Sequence, residues 1–139
     1  TDRVLPQMKA KAWGRIITST SSGMISPIPG LAISNTLRAA IMGWSKTLAS
    51  EVAKDGVTVN IVLPGRIATD RLHELDQIRA QKESKTVAEI SARLLAAIPI
   101  GRYGDPQEYA AAVTFLASQQ ASYITGATLR IDGGSYAGH

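Results

Sequence analysis

Apolar and β-branched residues fall into three short runs, separated by stretches in which they recur with helical spacing. Gly14-Arg15-Ile16-Ile17-Thr18-Ser19-Thr20, bounded by a glycine and a serine cluster, predicts a strand. Pro27 and Pro29 interrupt the pattern after it. Ile33, Leu37, Ile41, Trp44, Leu48 and Val52 then recur at steps of three and four, which marks one helix face, and Asp55-Gly56 supplies its stop. Val57-Thr58-Val59-Asn60-Ile61-Val62-Leu63 is the clearest strand, ended by Pro64-Gly65. Residues 70–85 are polar and charged and predict a helix that is exposed and mobile. Thr86-Val87-Ala88-Glu89 has the form of a capping box, opening a helix through about Ala97. Asp105-Pro106-Gln107-Glu108 opens another through Ala117, with Asp as N-cap and Pro at the first helical position. Gly126 leads to a last strand, Thr128 to Ile131. Short apolar strands separated by helices predict an α/β fold with a parallel sheet and right-handed crossovers.

Composition narrows the function classes. The 139 residues are 45% hydrophobic, enough to build the core of one domain. No apolar run reaches the roughly 18 residues of a membrane span, and no secretory leader is present, so a cytoplasmic protein is expected. The absence of cysteine excludes a disulfide framework and thiolate metal sites; no metal site is expected. The net charge of +4 is scattered, and residues 66–93 interleave Lys and Arg with Asp and Glu. Without aromatic residues set among the basic ones, a nucleic-acid surface is not expected.

In an open parallel sheet, ligands bind beyond the carboxyl ends of the strands. Ser21 follows the first strand, Pro64-Gly65 the second, and Asp132-Gly133-Gly134 the third, so three marked segments fall on one rim. Ser34 and Arg38 are four apart and share one helix face near that rim. Serine and glycine also cap strand ends in any α/β protein, and that reading stays open here.

Five segments in order carry a family resemblance: Gly14 to Ser21, Val57 to Gly65, Pro99 to Glu108, Phe115-Leu116-Ala117-Ser118, and Ile124-Thr125-Gly126 through Ile131-Asp132-Gly133-Gly134. Together they resemble the C-terminal half of a short-chain dehydrogenase/reductase. The resemblance implies half of a doubly wound, Rossmann-type sheet, and hydride transfer between NAD or NADP and a small carbonyl or alcohol substrate. A 3-oxoacyl reductase is one such activity. It implies that Ser21 holds the substrate oxygen, and that Pro64, Gly65, Ile67 and Thr69 lie against the cofactor. Ile67 would meet the nicotinamide carboxamide through its backbone. Thr69 can equally cap the next helix. A homo-oligomer, dimer or tetramer, is also implied.

Two positions depart from the family pattern. Its proton-donating tyrosine falls on Ser34 and its lysine on Arg38; the register is fixed by the interval from Ser21 and by Gly43. No tyrosine in the chain has lysine four residues later. An alkyl hydroxyl is a poorer acid than a phenol, and guanidinium stays protonated, so Arg38 cannot act as a base. Three readings stay open. Ser34 or a water beside it relays the proton while Arg38 supplies the field. Another group donates, such as His73 or something upstream. Or the protein is a non-catalytic nucleotide-binding or scaffold relative. For His73 alone, a solvent-exposed helix residue is the plainer reading. Arg66 and Arg71 are candidates for an anionic carrier, with simple solvation as the alternative.

No glycine-rich phosphate loop follows a strand and opens a helix in this sequence. The resemblance places that loop upstream, so residues 1–139 are expected to form a single partial domain, a fragment lacking a competent cofactor site by itself. The first strand is then expected to present an unpaired edge with Ile16 and Ile17.

Overall fold

In the computed structural model, which describes residues 1–138, the three apolar runs become three parallel strands. They are β1 (Gly14–Ser19), β2 (Val57–Pro64) and β3 (Thr128–Ile131), ordered β1-β2-β3. Gly14 pairs with Val57 at one end of the β1–β2 ladder and Ser19 with Val62 at the other; Ile61 to Pro64 pair with Thr128 to Ile131. Five helices accompany them: α1 (Leu5–Ala10), α2 (Ala32–Val52), α3 (Asp70–Lys82), α4 (Val87–Ala96) and α5 (Pro106–Ala117).

The central strand explains the layering. Side chains alternate across a strand, and both faces of β2 are buried from Val57 to Leu63. Val57 and Val59 pack with Leu48, Ala49 and Val52 of α2, while Ile61 and Leu63 meet Met24. On the opposite face Val62 packs with Leu116 of α5 and Ala121. Each such side chain contributes about 1.5–3 kcal/mol on burial. Asn60 is also fully buried on the α5 face. Its amide donates to the Ile124 carbonyl at 2.8 Å and accepts from the Ala127 N–H at 3.0 Å, so the buried polar group is satisfied and β3 is tied to β2.

Helix ends follow local chemistry. Gly56, at φ 72°, ends the α2 segment with its Cβ position 2.1 Å from the Ala12 carbonyl oxygen, a place only glycine can occupy. Thr86 with Glu89 and Asp105 with Glu108 both form reciprocal capping boxes, as the sequence predicts. Arg102 holds Glu108 through two further bonds of 2.6 and 2.7 Å, and the carboxyl is lowered to about 2.

One expectation needs correction, and two features gain detail. The residues 70–85 segment is not simply exposed: Asp76 and Ala80 of α3 are buried, because Leu72, Asp76 and Ala80 share the inward face at i, i+4 spacing. The apolar face of α2 is covered only in part. Leu48 and Val52 are buried and Ile41 packs against Met24, Ile61 and Leu63, whereas Ile33, Leu37 and Trp44 are exposed. The free edge of β1 is present among the described residues, yet Ile16 and Ile17 are half-buried by the clusters on the two faces.

Candidate active site

The carboxyl ends of the three strands open into one cleft of about 610 Å³. Thr20 and Ser21 reach it from β1, Pro64, Gly65 and Arg66 from β2, and Asp132, Ser135 and Tyr136 from beyond β3. Leu72 of α3 and Leu94 of α4 close another side. The rim inferred from strand polarity is thus a real concavity.

Gly65 shows how closely the strand ends approach. Its N–H donates to the Ile131 carbonyl at 2.8 Å, and a Cβ there would stand 2.5 Å from the Asp132 Cα. The neighbouring backbone leaves no room for a side chain. Asp132 is fixed in turn: its two carboxylate oxygens accept from the N–H groups of Gly134 (3.0 Å) and Tyr136 (3.2 Å).

Ser21 sits in extended backbone and caps the short turn Ser22–Met24, its Oγ accepting from the Gly23 N–H at 3.3 Å. The hydroxyl proton remains available to a substrate oxygen in the cleft. Ser34 and Arg38 approach from the first turns of α2. Arg38 Nε donates to Ser34 Oγ at 3.1 Å, and Arg38 Nη1 donates to Thr20 Oγ1 at 3.1 Å. The guanidinium therefore bridges α2 to the end of β1, next to Ser21. Its charge polarises both hydroxyls and favours a negative Ser34 oxygen. Ser34 and Arg38 do not themselves border the 610 Å³ cleft; Thr20 connects them to it.

Ile67 and Thr69 lie on the turn after Gly65, outside the cleft lining. Ile67 forms an isolated parallel bridge with Gly104, in which Gly104 N–H donates to the Arg66 carbonyl and Ala68 N–H to the Gly104 carbonyl. That pattern leaves the amide and carbonyl of Ile67 without a partner among the described residues. Thr69 caps α3, its Oγ1 accepting from the Leu72 N–H at 3.3 Å.

The two arginines differ from each other. Arg66 is neither solvated nor free: it pairs with buried Asp76 and lies over the Tyr103 ring, 5.4 Å from its centre. Tyr103 Oη donates to the other Asp76 oxygen at 2.9 Å. Arg71 pairs with Glu74 on the surface. His73 is exposed, bonded to Gln77, and does not border the cleft. Thr20, Asp76 and Tyr103 escaped the sequence reading. The i, i+4 row of Leu72, Asp76 and Ala80 is the one sequence signal that could have marked Asp76 as inward-facing.

Comparison with known proteins places this arrangement. The family model described as Enoyl-(Acyl carrier protein) reductase matches residues 1–136. The 3-oxoacyl-(acyl-carrier-protein) reductase of Salmonella typhimurium is 44% identical over 133 residues, 96% of this chain and 50% of that protein. Nodulation protein G of Azospirillum brasilense is 37% identical over 134 residues, again 96% of this chain and 50% of that protein. Among solved structures, YwfH, an NADPH-dependent reductase involved in bacilysin biosynthesis, superposes with TM-score 0.92 at 33% identity, covering 99% of this chain and 53% of that one. L-sorbose reductase from Gluconobacter frateurii, solved with NADPH and L-sorbose, gives 0.87 at 32% identity over 97% and 52%. The chain spans about half the length of the curated relatives it matches. Fold, motif order and family match agree: the chain belongs to the short-chain dehydrogenase/reductase family.

Proposed function

We propose that the chain is the C-terminal half of a Rossmann-type oxidoreductase domain, working by hydride transfer between NAD or NADP and a small carbonyl or alcohol substrate. The observation that carries this is the bridge from Ser34 through Arg38 to Thr20, which with Ser21 lines a cleft formed by three strand ends. A nicotinamide cofactor, when bound, supplies or accepts the hydride. The residues present fit its nicotinamide end. The unpartnered backbone of Ile67 suits a carboxamide, the Thr69 hydroxyl keeps a proton to donate, and Arg38 Nη2 is left for a ribose hydroxyl. Pro64 and Gly65 shape the turn that carries them.

Ser21 holds the substrate oxygen by hydrogen bond. Ser34, its oxygen already accepting from a cation, gives up or passes a proton more readily than an isolated serine. In the reducing direction a proton reaches the carbonyl oxygen through Ser34 or a water beside it. Arg38 supplies the fixed positive field. Reductase activity on 3-oxoacyl groups, the activity by which the Salmonella typhimurium relative is named, is the finer form of this reading. The reading also includes a cytoplasmic homo-oligomer, supported by the exposed apolar strip of α2, with Ile33 80% exposed. No helix among the described residues is long and apolar enough to cross a membrane.

The alternative, a non-catalytic relative that only binds nucleotide, rests on the Ser34 and Arg38 departures themselves. The test compares the full-length wild type with Ser34→Ala and with the pair Ser34→Tyr plus Arg38→Lys. Turnover by wild type that Ser34→Ala abolishes supports the proposal. Activity that arises only in the paired variant supports the alternative.

A further inference from the structure

We propose that Asp76 sets the substrate class of the cleft, restricting it to uncharged, predominantly apolar carbonyl or alcohol compounds by cancelling the charge of Arg66. The inference rests on the cleft being the substrate site. Much of its wall is apolar, with Ile28, Pro29, Leu72, Leu94 and Ile98 among its residues, and Ser21, Ser22 and Ser26 add hydroxyls on one side. Among the described residues two charged side chains border it, Arg66 and Asp132.

Arg66 is the single cation of that wall among the described residues, and its charge is already paired, although its buried Nε has no hydrogen-bond partner. Its Nη2 donates to Asp76 Oδ1, while Tyr103 Oη occupies Asp76 Oδ2. With both oxygens engaged and only 3% of the residue exposed, the carboxylate cannot turn away. The Tyr103 ring covers one face of the guanidinium. Backbone bonds from Gly104 to Arg66 and from Ala68 to Gly104 fix the segment that carries the arginine. Asp132 remains as a formal negative charge, shared with two N–H groups. A carboxylate or phosphate entering the cleft would lose hydration, find the one cation of the described wall already paired with Asp76 and face the Asp132 anion. A neutral carbonyl loses little and finds the Ser21 hydroxyl.

Asp76 does not itself border the cleft and touches it only through Arg66, so it acts through that arginine. Removing its charge would leave a partly buried guanidinium without a counter-ion at the cleft wall. That is an anion-binding site in the making.

The experiment titrates the full-length protein with methyl hexyl ketone and with its analogue carrying a terminal carboxylate, reading binding by ligand-observed NMR. Wild type binds the neutral ketone at least tenfold more tightly. Asp76→Asn keeps the shape and the bond from Arg66, reverses the Tyr103 bond so that the amide donates, and frees the charge; it moves the ratio at least tenfold toward the carboxylate. Adding Arg66→Gln restores the neutral preference. If Asp76→Asn does not fold, the paired apolar variant Arg66→Met plus Asp76→Leu replaces it and retains the neutral preference. Equal binding of both ketones by wild type, binding of neither, an unchanged ratio in Asp76→Asn, or loss of the preference in the apolar pair overturns the proposal. Because the readout needs no turnover, a protein that prefers the neutral ketone yet transfers no hydride contradicts the catalytic reading and leaves this one intact.

Discussion

Arg38 and Ser34, one turn apart on α2, are joined by a 3.1 Å hydrogen bond in which the guanidinium donates to the serine oxygen. The same guanidinium reaches Thr20 on β1, so a single cation ties the helix to the strand that delivers Ser21. A phenol next to a lysine, the pair the family resemblance implies, relies on an intrinsically acidic hydroxyl. Here the hydroxyl is weak and the cation is brought into direct contact with it. Arg38→Met removes field and bridge together and is expected to lower kcat/KM of the full-length protein roughly 100-fold. Steady-state kinetics with saturating cofactor measure it.

Thr20 is buried, and its Oγ1 orients Arg38. Thr20→Val keeps the volume and deletes one charge-assisted bond, a change of about 1.5–3 kcal/mol. Activity is expected to fall by about tenfold or more, with the melting temperature changing far less than in a core deletion. A readout of activity and thermal unfolding on the same sample separates the two.

Gly65→Ala places a Cβ against the Asp132 backbone, which has no flexible end to yield. The expected cost is about 1–3 kcal/mol of overpacking, and the cleft distorts because Asp132 is part of its wall. Denaturant titration at constant m-value checks the magnitude.

Leu63 is 1% exposed at the end of β2, packed with Met24 and Ile61 just below the cleft. Leu63→Ala is expected to cost about 2–5 kcal/mol in the same titration.

Glu108 is depressed from its ordinary value of 4.5 to about 2, chiefly by the Arg102 hydrogen bonds and then by the Asp105 backbone N–H. A carboxyl lowered on folding stabilises the folded state above its unfolded pKa and loses that contribution as pH falls toward its folded one. The part of the acid sensitivity that Glu108 supplies therefore lies between pH 4.5 and about 2. Glu108→Gln is expected to flatten the stability profile in that window, as followed by circular dichroism. The group is surface-exposed, so the effect is small in salt.

Much of this architecture was legible in the chain. The three strands, the α2 segment and both capping boxes depend on neighbours within a few residues, which local chemistry specifies. The parallel order followed from short apolar strands separated by helices, with the central strand β2 buried on both faces. What stayed hidden depends on distant partners. Asp76 lies in a polar segment, and its partners Arg66 and Tyr103 are 10 and 27 residues away, so nothing local distinguishes it from a solvated acid. The exposure of Ile33 and Leu37 was equally invisible, because helical periodicity reveals an apolar face without revealing what covers it.

The central claim is that the hydroxyls at positions 21 and 34 serve one reacting oxygen. A double-mutant cycle on kcat for carbonyl reduction by the full-length protein tests it most directly. Ser21→Ala and Ser34→Ala are each expected to cost about 100- to 1,000-fold, and the double variant is expected to be no more than about tenfold worse than the poorer single. Losses that simply multiply, or full activity in Ser34→Ala, contradict it.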